Sequence, residues 1–126
     1  MMDYARQRAI EALKTSRNAV LATIGPAGLQ VSEFPCEAVE LIIYLLVPKT
    51  SDHLFNLEHD ATVSIVTNAC ELKGEAHIIS PIASDLELDL LKKPDIEWCE
   101  IVRVDPSQIQ FRREKGWGNL ETIDLP

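Results

Sequence analysis

Residues 41–66 decide the fold of this chain. They read Leu41-Ile42-Ile43-Tyr44-Leu45-Leu46-Val47, then Pro48-Lys49, then Thr50-Ser51-Asp52-His53-Leu54-Phe55-Asn56-Leu57, and end in Ala61-Thr62-Val63-Ser64-Ile65-Val66. The unbroken apolar run 41–47 lacks alternation, so it reads as a strand buried on both faces. Thr50 or Ser51 supplies the cap of a short helix over 51–58. A second strand, 61–67, follows at once. A strand feeding a polar helix start aims free backbone N–H groups at one point, which is the physical requirement for holding a phosphate. Lys49 and the hydroxyl not used as the cap add a cation and a donor there. Asp52 works against an anion, because a carboxylate in the first turn already complements the helix dipole. A plain helix start and an anion site both remain open, caps being the commoner.

Working outward, residues 3–16 form a first helix with Ala9, Ile10 and Leu13 on one stripe and Arg6, Gln7 and Lys14 turned to water. Residues 19–24 are a strand stopped by Gly25-Pro26-Ala27-Gly28, and 29–38 resume as the second arm of a hairpin. Pro35 removes a donor from that arm, placing part of it at an edge or bulge. Residues 72–79 alternate as a half-buried strand. Ser84 and Glu87 form a capping box for a third helix, with Lys92 and Lys93 near its end and Pro94 as its stop. Strands over 98–104 and 109–112 are separated by Asp105-Pro106-Ser107, and 119–124 adds a short terminal strand. The fold class is mainly β: short antiparallel strands closed as a small barrel, with about three short peripheral helices.

The 126 residues make one domain, 1–126, with an ordinary hydrophobic core. Hydrophobic content of 46% and charged content of 25% are those of a soluble globular protein. A net charge of -8 argues against nucleic acid and against an anionic membrane surface. The N-terminus has no signal-like apolar segment, and no run approaches the roughly 20 residues of a membrane span. Cys36, Cys70 and Cys99 are odd in number and widely spaced, as reduced thiols of a cytoplasmic protein are.

Few side chains announce chemistry. His53 and Asn56 lie three apart on a helix face distinct from that of Leu54 and Leu57. With no partner at a recognisable spacing, His53 reads as a surface histidine. His59 and His77 are isolated, so no metal site is expected. Glu33 and Glu37 share a face only if the strand runs regularly past Pro35. Trp117 stands between Gly116 and Gly118, where it either stacks on a ligand or fills a subunit interface.

Taken in order, these features resemble the pyridoxamine-5′-phosphate-oxidase-like FMN-binding split-barrel family. The matching residues are Val20-Leu21-Ala22-Thr23-Ile24 with the turn ending at Gly28, the strand through Tyr44, Ser51-Asp52-His53 and Asn56-Leu57. Asp60 to Val66, Gly74-Glu75-Ala76, and Val104-Asp105-Pro106 leading to Ile109 and Phe111 continue the match. The resemblance implies a six-stranded antiparallel split barrel, a homodimer with FMN at the subunit interface. It puts the flavin ring against Leu46 and Val47 and the phosphate at Ser51 and His53, the same corner to which the residues themselves add Lys49 and Thr50. Trp117 would come from the partner chain. The family's basic phosphate anchors fall at Glu33, Ala38 and His53, so one acidic, one apolar and one weakly basic residue stand where cations are expected. Lys49, Arg17, Arg112 or Arg113 could compensate.

Two functions follow from that resemblance. One is a flavin-dependent oxidoreductase of unknown substrate, in which FMN does the redox chemistry and no side chain is nominated as catalytic. A true pyridoxamine 5′-phosphate oxidase is not expected, because that enzyme's longer substrate-binding C-terminal segment is missing here. The other is a non-enzymatic split-barrel dimer that has lost the flavin and acts as a binding or interaction module. Haem in the same cleft, near His53, His59 or His77, is a third possibility.

Overall fold

The structure is a computed structural model describing residues 2–81, 87–111 and 121–125. Its elements are α1 (Met2–Lys14), β1 (Asn18–Thr23), β2 (Gln30–Val39), β3 (Ile42–Pro48), α2 (Asp52–His59), β4 (Thr62–Val66), β5 (Cys70–Ile79), β6 (Cys99–Phe111) and β7 (Glu121–Asp124). The strands form one sheet in the order β3-β2-β1-β4-β5-β6-β7, and a further β3–β6 pairing closes six of them into an antiparallel barrel. β7 extends the far half of β6 through the pairs from Gln108↔Asp124 to Phe111↔Glu121.

β2 is where the barrel splits. Its first part pairs with β1 as far as Asn18↔Pro35, and its last four residues pair with β3 from Cys36↔Leu45 to Val39↔Ile42. Pro35, which has no N–H to donate, sits at the handover, and the Cys36 N–H bonds the Arg17 carbonyl at 2.9 Å. Leu46, Val47 and Pro48 therefore have β6 on one side and no strand on the other among the described residues.

The expected burial of β3 on both faces is present. Ile43, Leu45 and Val47 point into the barrel with Leu21, Ile65, Leu72 and Val104, while Tyr44 and Leu46 lie outside it beneath Leu88 and Leu90. Each such aliphatic contributes about 1.5–3 kcal/mol by leaving water. On α1, Ala9 and Leu13 are buried, and Arg6, Gln7 and Lys14 are exposed.

Two expectations need correction. Among the described residues there are two α-helices rather than about three. The segment expected as the third contains a 3-10 turn, Asp89–Lys92, and Ser84 lies outside the described residues. Leu88 and Leu90 are pinned to the barrel's outer face and the Leu90 N–H bonds the Glu37 carboxylate at 3.1 Å, which holds the chain to its neighbour rather than to itself. The second correction concerns Asp105-Pro106-Ser107, which does not interrupt β6. The register slips by one residue between Lys73 and Gly74, so Gly74 faces Pro106. A Cβ at Gly74 would collide with the Asp105 carbonyl, so glycine is what lets the two backbones close at this bulge.

Candidate functional site

The start of α2 is closed by its own residues. The Ser51 side chain caps the helix by accepting from the His53 N–H at 3.2 Å. The Ser51 N–H donates to the Pro48 carbonyl at 2.9 Å, and the Leu54 N–H to the Ser51 carbonyl at 3.2 Å. Three of the N–H groups that a phosphate would use are thus committed within the corner. Asp52 stands exposed in the first turn and repels a further anion.

His53 is not a surface histidine. It is 1% exposed and turned into the barrel, with Nδ1 2.8 Å from Thr23 Oγ1. Asn56, 0% exposed, completes the cluster. Its Oδ1 accepts from the Ala27 N–H at 2.9 Å, which fixes the amide orientation. Its Nδ2 then donates to the Gly28 carbonyl at 2.9 Å and to Thr23 Oγ1 at 3.1 Å. Thr23 Oγ1 thus accepts from Asn56 and shares a second hydrogen bond with His53 Nδ1, whose direction follows the imidazole tautomer. Nε2 is buried and has no hydrogen-bond partner among the described residues. Phe34 meets the imidazole edge-on, 5.3 Å between ring centres. Burial pushes the His53 pKa below its ordinary value, and Asp52 opposes that shift only in part, so the ring is held neutral.

The local sequence explains this arrangement. β1 turns Ala19, Leu21 and Thr23 inward, so Thr23 ends an otherwise apolar face inside the barrel. The turn after it closes through Gly28 N–H to the Gly25 carbonyl at 2.8 Å, with Gly28 at φ +84. A Cβ on Gly25 would lie 2.8 Å from Asn56 Oδ1, so the turn and α2 meet only because glycine is there. His53, Thr23 and Asn56 form a clasp tying α2 to the β1–β2 turn.

The other expected site residues are scattered. Leu46 and Val47 are both buried, Val47 in the interior and Leu46 beneath Leu88. Lys49 and Thr50 are exposed, and Lys49 borders a cavity of about 210 Å³ with Leu91, Ile96 and Cys99. Glu33, opposite Val20 on the outer face of β2, borders a different cleft with Arg17 and Asn68. Ala38 packs against the barrel core. Trp117, Arg112 and Arg113 lie outside the described residues. Glu33 and Glu37 do share the outer face, but Glu37 is engaged by the Leu90 N–H. His59 is exposed with Nδ1 3.0 Å from the Phe55 carbonyl, and His77 is exposed 3.7 Å from Asp105. Among the described residues no group of three potential metal ligands converges. The cysteines are free and buried, and burial raises each thiol pKa, Cys36 to about 11.

Among the described residues one sheet face is left uncovered. Across β4, β1 and β2 the pairs Val66–Val20–Glu33 and Ser64–Ala22–Val31 point outward. Ile24, Leu29 and Val31 there are 59%, 68% and 59% exposed. Among the described residues no helix is long and apolar enough to cross a membrane.

General stress protein 26 from Bacillus anthracis superposes with a TM-score of 0.73 at 15% identity, over 97% of this chain and 99% of its own. A protein related to general stress protein 26 of B. subtilis (pyridoxinephosphate oxidase family), from Clostridium acetobutylicum, gives 0.72 at 14% identity over 95% and 96%. A heme binding protein from Mycobacterium smegmatis gives 0.65 at 18% identity, over 94% of this chain and 56% of its own. No protein-family model matches the sequence, and no curated protein does. The chain has the split-barrel fold of the pyridoxamine 5′-phosphate-oxidase-like proteins.

Proposed function

We propose that this chain is a split-barrel homodimer that works as a small-molecule-binding module and does not hold a flavin phosphate at the α2 corner. The observation that carries this reading is the self-satisfied helix start. The N–H groups of Ser51, His53 and Leu54 have partners inside the corner, and His53 is locked inward on Thr23. The residues present there do not fit FMN. A charge-assisted bond to phosphate is worth about 1.5–3 kcal/mol, and losing two weakens binding by roughly a hundredfold or more. The exposed apolar face of β1 and β2 supports self-association, since monomers rarely leave such a patch bare.

The test is the visible absorbance of protein purified without added cofactor, followed by titration with FMN. The expected result is a colourless protein that takes up no stoichiometric flavin. A yellow protein with flavin near one equivalent per chain contradicts the reading.

A flavin-dependent oxidoreductase is the second reading, and a specific observation favours it. Opposite β6, the edge of β3 at Leu46 to Pro48 has no strand beside it among the described residues, and Lys49 and Thr50 are exposed next to it. FMN held there would supply electron or hydride transfer. The same titration separates the two.

A further inference from the structure

We propose that the cleft between the end of α1, the middle of β2 and the 3-10 turn Asp89–Lys92 binds a phosphate-bearing small molecule of about mononucleotide size. This rests on the binding-module reading and names its ligand class. The cleft holds about 440 Å³, within the ~300–1,000 Å³ usual for ligand sites. Four of the chain's 12 lysine and arginine residues line it: Lys14, Arg17, Lys92 and Lys93. In a protein of net charge -8 such a concentration of cations at one opening is a marked local reversal of sign.

The two carboxylates in the cleft are already engaged. Glu37 accepts from the Leu90 N–H at 3.1 Å, and Asp89 pairs with Lys92 at 3.5 Å. Lys14, Arg17 and Lys93 have no carboxylate partner among the described residues. Their mutual repulsion is relieved by a ligand of more than one negative charge. Arg17 offers the planar fork that suits phosphate oxygens, and the lysines act as point charges around it. The acidic remainder of the surface excludes a long polyanion such as nucleic acid, while a ligand contained in the cleft stays close to the cations alone. This seat is separate from the α2 corner: it shares no residue with the cavity beside Lys49.

Calorimetric titration of the intact chain with inorganic pyrophosphate at low salt tests the proposal. Saturable binding is expected, weakened at least tenfold in the double variant Arg17→Glu/Lys93→Glu and unchanged in Lys49→Glu. All three side chains are exposed, and circular dichroism checks that each variant is folded. Absence of saturable binding, binding that survives the double reversal, or binding lost with Lys49→Glu overturns the proposal. Pyrophosphate carries no flavin. Its failure to bind therefore leaves the reading of the α2 corner intact, and a yellow protein contradicts that reading without touching this one.

Discussion

Replacing Asn56 by alanine removes the clasp between α2 and the β1–β2 turn. Three hydrogen bonds disappear, to the Ala27 N–H, the Gly28 carbonyl and Thr23 Oγ1. Gly28 is exposed and Ala27 half-buried, so water restores part of their bonding. Each of those two losses is then worth about 1 kcal/mol, the net value of an ordinary hydrogen bond. Thr23 is 2% exposed and keeps only His53, which adds roughly another 1 kcal/mol. The expected total is about 3 kcal/mol, a large part of the ~5–15 kcal/mol that holds a typical domain folded. For a chain of this length that corresponds to a fall in Tm of roughly 10 °C. Asn56→Asp is nearly isosteric and keeps an acceptor for Ala27, but it loses both donors and brings a carboxylate up to the Gly28 carbonyl. It should be at least as destabilising at neutral pH. Urea unfolding of the three proteins measures this directly. An Asn56→Ala protein within 1 kcal/mol of the parent would refute the clasp.

Other consequences follow from the same geometry. His53 has a folded pKa below its ordinary value, so the unfolded chain binds the proton more readily and stability falls as pH drops below about 6.5. Thermal melts from pH 7 to pH 5 should show a smaller loss for His53→Gln than for the parent; equal losses would exclude His53 as a cause. Gly25→Ala places a Cβ 2.8 Å from Asn56 Oδ1 and should cost about 1–3 kcal/mol in the same urea assay. Cys36, Cys70 and Cys99 are buried with raised pKa values, so thiol reagents at pH 8 should label none of them in the native protein and all three after unfolding. Val31→Lys on the uncovered β2 face should shift a dimer towards monomer in sedimentation, and an unchanged dimer would place the interface elsewhere.

The barrel was largely legible in the sequence because its signals are local. The run 41–47, the cap offered by Thr50 or Ser51 and the turn ending at Gly28 each fix their own element within a few residues. The third helix and the break in β6 were misread where distant partners decide. Leu90 answers to Glu37, 53 residues away, and Asp105-Pro106-Ser107 continues as strand because Gly74 admits it. His53 was misplaced for a similar reason. Helical spacing sets it apart from Leu54 and Leu57, yet α2 buries all of His53, Leu54, Asn56 and Leu57. Its partner, Thr23, lies 30 residues back. A threonine closing the inward face of Ala19 and Leu21, followed by Gly25 and Gly28, was the one available signal. The basic cleft was illegible, since Lys14 and Lys93 come to line one opening only in the folded chain.

The claim most exposed to test is that the start of α2 is a structural corner and not a phosphate seat. Titrating the purified, untreated protein with FMN while following flavin fluorescence and visible absorbance reads this in one experiment. No stoichiometric uptake is expected, either in the parent or in Lys49→Glu. Tight uptake of one FMN per chain, abolished by Lys49→Glu, would contradict it.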